Sequence, residues 1–509
     1  MIKRVLLLIV LVLLFTRMSF SQTDGLGLKS DTKLKLNSVI TDYSKISLNK
    51  SFEKNKVFED SIHATVTKSR LLNNPNLQFD SSYVPKKNYL LPIGEIIVLN
   101  IGVWSISKWI VPQPWAQISL NSVSENWKHQ WVWDADHFST NQLMHPYHGN
   151  LYFNLARSNG LSFWESAPYS LAGSFMWEMC METNYPSRND LITTTMGGIA
   201  LGEMTYRLSS KILDERTRGS ERVWREVGAF LLSPMRGINR FFRGEMGKVK
   251  QKSSYEIEDV YSSVSVGPSL YYEPGKMYSG NGNVSLRLDL YYGNPYAEKT
   301  RKPYDFFNVK TIFNFGTQPM INQVNVNGYL LGKNVRYKDD QKILIGLFQQ
   351  FDYFNNVGYE LFGQSLGPGI MYKFPTNPAV DFQTSLHFTG IILGGNSNVK
   401  EAFKYEADGT AYRDYNFSIG YTTKFETLLN LKSKAYLFLG LYNFMFFTED
   451  GADGTDNLLI FNPRIGFAVT PTTYIGSELN AYARTSKYDK YGTFKFNMTE
   501  LRLFISNSF

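Results

Sequence analysis

The sequence predicts an α+β protein: an N-terminal helical unit followed by a C-terminal transmembrane antiparallel β-barrel of about 12 strands. Three observations predict it. After about residue 255, apolar residues recur with a period of two along segments of roughly ten residues. Aromatic residues make up 15% of the chain, with 32 Tyr and 36 Phe, which suits the aromatic girdles of a membrane barrel. Between residues 89 and 213 the period is helical instead, and the helices are apolar on most sides.

Residues 1–21 read as a secretory signal peptide. Lys3 and Arg4 precede an apolar run from Val5 to Leu14, and Ser19-Phe-Ser21 forms a small-x-small cleavage site. The apolar run is shorter than the roughly 20 residues of a membrane span, so cleavage is expected. Residues 22–88 are polar throughout and read as a periplasmic segment with weak local structure. Cys180 is the only cysteine, which excludes an intrachain disulfide framework and any zinc site built from several thiolates. The net charge of +8 is dispersed along the chain, and no nucleic-acid-binding stripe stands out.

The helical unit is expected over residues 89–245. Its first helix, Tyr89 to Val111, has almost no polar face and is ended by Pro112 and Pro114. Glu95, Asn100 and Lys108 interrupt it, which argues against a bundle of membrane-spanning helices. Such a helix is buried in a core or lies against lipid. A second helix runs from Tyr169 to Glu182, with Ser166 as its N-cap and Pro168 in its first turn. Along it Ser170, Ser174, Glu178 and Glu182 recur every fourth residue and line one narrow stripe. Ser187-Arg-Asn-Asp190 reads as the cap of a helix reaching about Leu213, in which Gly197, Gly198 and Gly202 admit a close neighbour. From Glu221 to Arg243 follows a basic amphipathic helix, suited either to an anionic headgroup surface or to the solvated edge of the bundle.

The barrel is expected over residues 255–509. Val284, Leu286, Leu288 and Leu290 alternate with Ser285, Arg287 and Asp289, and Tyr415, Phe417 and Ile419 with Asn416 and Ser418. Ile475, Leu479 and Ala481 likewise alternate with Glu478, Asn480 and Tyr482. Gly394-Gly-Asn-Ser-Asn398 and Gly451-Ala-Asp-Gly454 read as turns between strands. Closure is required because no strand edge can face lipid unpaired.

The stretch from Trp131 to Glu203 carries the chemistry-bearing residues, including four of the six histidines. Its motifs are Trp133-Asp-Ala-Asp136, Thr140-Asn141, His145-Pro-Tyr-His-Gly149, Ala156-Arg157-Ser158, Phe163-Trp-Glu-Ser166 and Trp177-Glu178. Pro186-Ser187 with Asn189-Asp190, Gly197-Gly198 with Gly202-Glu203, and Ser233-Pro-Met-Arg-Gly-Ile-Asn239-Arg240 complete the set. Together they resemble the family of domain of unknown function 3943 (DUF3943), over roughly residues 85–245. The resemblance implies a Gram-negative outer-membrane protein with a helical unit ahead of a barrel, and it implies no reaction.

Two functions follow from these residues. In the first, the helical unit plugs the barrel or docks on it, gating a solute or lipid path or serving an envelope-assembly partner. Its polar stripes would then meet Arg287, Asp289, Glu478, Arg484 and Arg502 on the lumen wall. Asp134, Asp136, His137, His145, His148, Arg157, Glu178, Glu182, Glu203 and Arg207 would form a buried polar network, with the helix carboxylates paired to Arg157 or Arg207. In the second, the chain is an outer-membrane hydrolase acting on a lipid or envelope substrate. Glu178, Glu182 and His145 are its candidate catalytic groups, and His145, His148 and Asp136 its candidate ligands for a divalent metal. Pro146 and Gly149 speak against a local helix at the two histidines. The lone barrel histidine, His387, reads as a lumen or girdle residue. Outer-membrane lipid is the expected environment in both cases.

Overall fold

The computed structural model describes residues 83–509, apart from positions 253 and 256 and the short stretches 274–275, 278–282, 298–300, 317–318, 337–340, 357–358, 375–378, 398–404, 408–410 and 433. The expected signal peptide, and all but the last six residues of the polar segment 22–88, lie outside the described residues.

Among the described residues seven α-helices precede the strands: α1 (Leu91–Ser105), α2 (Leu120–Lys128), α3 (His145–Ser158), α4 (Phe163–Cys180), α5 (Arg188–Ile212), α6 (Gly219–Leu232) and α7 (Pro234–Phe242). A π turn at Ile106–Ile110 extends α1, and a second at Thr140–Met144 leads into α3. Several boundaries differ from the expected ones. His145 and His148 do lie on a helix, because Pro146 falls in its first turn, where a missing N–H costs nothing. α4 begins three residues before the expected cap: Ser162 and Glu165 close a reciprocal capping box, and Pro168 lies inside the helix. The basic segment breaks at Ser233 into α6 and α7, with Pro234 opening the second. Ser187 caps α5 through the Asp190 amide, as its sequence suggests.

The helices pack through their small residues. A methyl group on Gly149 of α3 would stand 1.8 Å from the Thr194 carbonyl oxygen of α5, and one on Gly198 would stand 2.5 Å from the Gly149 backbone. These two backbones touch. α3 and α5 run side by side in the same direction, with His145 beside Asp190 and Arg157 beside Glu203. α4 runs the opposite way, since Gly173 packs on Tyr152 and Glu178 reaches Ser187.

Among the described residues, apart from three strands of two or three residues, twelve strands follow: β1 (Val260–Glu273), β2 (Asn283–Tyr292), β3 (Phe307–Phe315), β4 (Ile321–Arg336), β5 (Lys342–Asn355), β6 (Glu360–Lys373), β7 (Val380–Ser397), β8 (Tyr415–Leu431), β9 (Ala435–Asp450), β10 (Gly454–Ala468), β11 (Thr473–Tyr488) and β12 (Gly492–Ser508). Each is antiparallel to the next, and β1 pairs with β12 from Ser263↔Ser508 to Tyr272↔Thr499, which closes the barrel. Gly394–Ser397, expected as part of a turn, instead ends β7. The strand ends divide the barrel into two rims. One carries Val260 and Phe509; the far rim carries Ser397 and Tyr415.

Register separates the faces. Leu437, Leu441, Phe461, Phe467, Leu501 and Ile505 share the outward face and are exposed. The inward face is polar and tied across the lumen. Glu478 of β11 receives Arg287 of β2 at 2.7 Å, Arg502 of β12 at 3.3 Å and Arg464 of β10 at 3.7 Å. Asp289 takes Arg287 at 2.8 Å and Arg464 at 3.2 Å, and Lys424 of β8 meets Asp352 of β5 at 2.6 Å. Lys310 of β3 lies 5.5 Å from the rings of Phe438 and Tyr442 on β9, on the opposite wall. Toward the far rim the same lumen is filled by aromatic and aliphatic side chains, with Phe354 and Phe444 facing each other at 6.0 Å.

The expectation that helices enter the lumen is therefore corrected. Arg287, Asp289, Glu478 and Arg502 pair with one another, and Arg484 pairs with Asp456. The helices lie on the outer face. Val324, Val326, Phe351, Tyr353, Phe362, Tyr415 and Phe417 share the outward register, yet they are buried.

Candidate functional site

The helices meet the wall along a seam running from rim to rim. At the far rim, Arg413 donates to the Asp134 carbonyl at 2.9 Å, and the Tyr415 hydroxyl donates to the Asp136 carbonyl at 2.8 Å. Asn141 donates to that same hydroxyl at 2.8 Å, Trp133 stacks on Phe417 at 5.1 Å, and Phe138 packs on Tyr353 and Tyr415. Midway down, two outward glutamines grip α5: Gln364 donates to the Thr193 carbonyl at 3.0 Å and Gln349 to the Met196 carbonyl at 2.9 Å. Near the opposite rim, Tyr304 packs against Phe163 at 5.7 Å. Arg207 there reaches Asp305 at 2.9 Å and the Pro303 carbonyl at 2.6 Å. Lys211 closes the seam on the Glu258 carbonyl at 2.7 Å.

The ten residues expected to form one polar network divide between the two ends of the helical unit. Glu203 is fully buried and takes Arg157 at 2.7 and 3.1 Å and Arg207 at 2.8 Å. Arg207 carries that pairing on to Asp305, so α3, α5 and the barrel share one chain of charges. Glu178 and Glu182 do not pair with either arginine. Because α4 runs antiparallel to α3, they sit at the far-rim end, with Asp134 and Asp190 close enough to repel them.

At that end the carboxylates of Glu178, Asp190 and Asp134 are held by the chain itself. Glu178 accepts from the Ser187 amide at 2.8 Å, and Asp190 accepts from the Asn189 side chain at 2.8 Å. The Asp134 carboxylate accepts the amides of Ala135 at 2.6 Å and Asp136 at 3.2 Å. Ser170 and Ser174 donate to the carbonyls of Gly149 and Asp190. Their stripe thus faces α3 and α5, not the lumen.

His145 and His148 have separate partners. His145 Nε2 lies 3.5 Å from Asp190, whereas His148 Nε2 lies 2.9 Å from the Tyr152 hydroxyl, which donates to Asn100 Oδ1 at 2.5 Å. His137 stands exposed on the loop before the π turn. Among the described residues, no group of three His, Cys, Asp or Glu side chains is placed to hold a metal ion, so the candidate set His145, His148 and Asp136 does not converge. His387 lies buried in the lumen, edge-on to Phe348 at 4.6 Å.

The basic segment turns its charges inward. Arg240 is buried against Glu215, Glu226 and Glu245, Arg222 meets Glu226 at 2.7 Å, and Arg236 lies between Tyr206 and Tyr255. Burial pushes the Glu215 carboxyl up, but the charges of Lys250 and Arg240 outweigh it and hold the group below its usual range. Val223, Trp224, Phe230, Phe241 and Phe242 are its exposed large apolar residues. Arg222, Arg236 and Arg240 thus face neither headgroups nor solvent, whereas Arg243 is exposed.

Reading residue by residue did not single out Gln349, Gln364, Arg413, Asp305 or Tyr152. A signal existed for the glutamines: each occupies a position whose strand neighbours of the same face are apolar, where lipid alone would not tolerate a carboxamide.

No curated protein matches the chain. Among solved structures it is similar to the NanC porin (10% identity, 48% of this chain and 98% of that one, TM-score 0.26) and the KdgM porin (8%, 48% and 99%, TM-score 0.22). It is also similar to the outer membrane channel DcaP of Acinetobacter baumannii (8% identity, 49% of this chain and 96% of that one, TM-score 0.21). The family model of DUF3943, a domain of unknown function, matches residues 130–235, the stretch from the far-rim loop through α3, α4 and α5 to the start of α7. The chain thus carries a DUF3943 domain, clasped to the outer wall of a closed twelve-stranded barrel.

Proposed function

We propose that this is an outer-membrane protein whose barrel is an anchor with a filled lumen, and whose helical unit works in the lipid beside it. Its ligand would be lipid-borne and would travel along the seam, not through the barrel. The observation that carries this reading is the Leu91–Ile110 helix. Its 20 residues rise about 30 Å, which matches the hydrocarbon core of a bilayer, and most of its surface is unburied. Two of the three polar residues that interrupt it turn away from that surface. Asn100 is fully buried against Gly173 and Tyr152, and Glu95 accepts from Asn159 and Asn239.

The helix also keeps the level of the wall. Its start is tied to α7 near the rim that carries the chain terminus, and Trp104 at its other end donates to the Ala116 carbonyl near the far rim. The ion pairs across the lumen support the other half of the reading, because a barrel of this size has room for a water path only if its side chains leave one. Residues 1–21 would supply export.

Two measurements test it. Phospholipids carrying a photoreactive acyl chain should label α1 as strongly as the exposed outward face of β9–β12, and labelling confined to the strands would overturn the lipid placement. In planar bilayers the protein should pass no steady current; a stable ohmic conductance would overturn the closed lumen.

A further inference from the structure

At the far-rim end of the helical unit lies an open hollow of about 460 Å³, lined by Gln130, Trp131, Arg188, Leu191 and Ile192 and mostly apolar. Its floor is aliphatic and aromatic, and its one charged group is a guanidinium. Arg188 donates through Nε to the Trp131 carbonyl at 3.1 Å, which fixes the side chain beside the hollow. The residue is exposed, and among the described residues no carboxylate pairs with it.

Around it stands a belt of tryptophans. Trp127 and Trp131 both pack on Phe175, which is exposed, and Trp109 stands exposed at the end of the apolar helix. Lys108 there lies over the Trp104 ring at 4.8 Å, again with no carboxylate partner among the described residues. Tryptophan beside unpaired cations at one level of an apolar surface is the composition of a membrane–water interface.

We infer that the hollow between Trp131, Leu191 and Ile192 seats one acyl chain of a phospholipid of net negative charge, with Arg188 holding its phosphate. The inference rests on the placement of the helical unit in lipid and adds to it a headgroup preference and a residue that sets it. A guanidinium is suited to the task, because its paired N–H groups match two oxygens of a phosphate. The site faces the leaflet at the far rim.

All nine tryptophans lie between Trp104 and Trp224, so tryptophan fluorescence reports the helical unit alone. The test reconstitutes the whole protein in nanodiscs and compares quenching by brominated phosphatidylglycerol with quenching by brominated phosphatidylcholine. The Trp131→Phe variant identifies the part of the signal that comes from the hollow. Wild type should favour the anionic lipid by about fivefold, the factor one surface cation contributes. Arg188→Gln should erase the preference and Arg188→Lys should retain most of it. Equal quenching by both lipids, or a preference that survives Arg188→Gln, overturns the headgroup site and leaves the lipid placement standing. An absence of quenching by either lipid overturns both.

Discussion

Replacing Gly149 by alanine tests the contact on which the helical unit is built. The new methyl would lie 1.8 Å from the Thr194 carbonyl oxygen, 2.7 Å from its carbon and 2.9 Å from the Gly198 Cα. All three are backbone atoms, so no rotamer change relieves the overlap. α3 and α5 must part by roughly 1.6 Å to restore an ordinary contact. Overpacking of this kind costs about 1–3 kcal/mol, and the rigid neighbours place it at the upper end. Alanine returns about 1 kcal/mol of helix propensity, leaving a net loss of about 2 kcal/mol. The assay is thermal unfolding in detergent followed by tryptophan fluorescence. Gly102→Ala is the control, since nothing lies within 4 Å of the position a methyl would take there. It should be neutral or slightly stabilising. If Gly149→Ala melts with Gly102→Ala, the backbone contact between α3 and α5 does not exist as described.

Two further outcomes follow from the charged groups. Glu203→Gln leaves Arg157 and Arg207 facing a neutral amide in a buried place, which should destabilise the helical unit by about 3 kcal/mol, the low end of such losses because Arg207 keeps Asp305. A loss below about 1 kcal/mol in the same fluorescence melt would mean that water reaches the pair. Glu215 gives a pH dependence. Its folded carboxyl is held below the ordinary value of about 4.3, so its contribution is complete above that pH and is lost as the pH falls through the folded value. Amide exchange in α6 and α7 should therefore accelerate below about pH 4 in wild type, with a smaller step in Glu215→Gln; equal steps would remove Glu215 as the cause.

The barrel was legible because alternation is a strong constraint when one face meets lipid. Leu286 and Leu288 point out and Arg287 and Asp289 point in, as their spacing requires. The partners of those charges were not legible, since Arg287 and Glu478 stand 191 positions apart and only closure brings them together. The helical unit shows the same divide. The cap at Ser187 and the close approach at Gly198 are local and could be read, whereas the antiparallel course of α4, which carries Glu178 away from Arg157, is a tertiary fact. The side of the wall on which the helices lie turned on two carboxamides, Gln349 and Gln364, set among apolar outward neighbours. A period-two pattern treats each as one imperfection in a strand, although together they mark a covered surface.

The docking surface for the helical unit comes from β4 to β8, and every one of those strands is synthesised after the helices that rest on it. In the outer-membrane reading proposed above, the helical unit therefore crosses the periplasm as unfinished cargo, with its greasy flanks and the Arg207 contact to Asp305 still waiting for a berth. Seating it is a late step, one that cannot precede the folding of the cylinder.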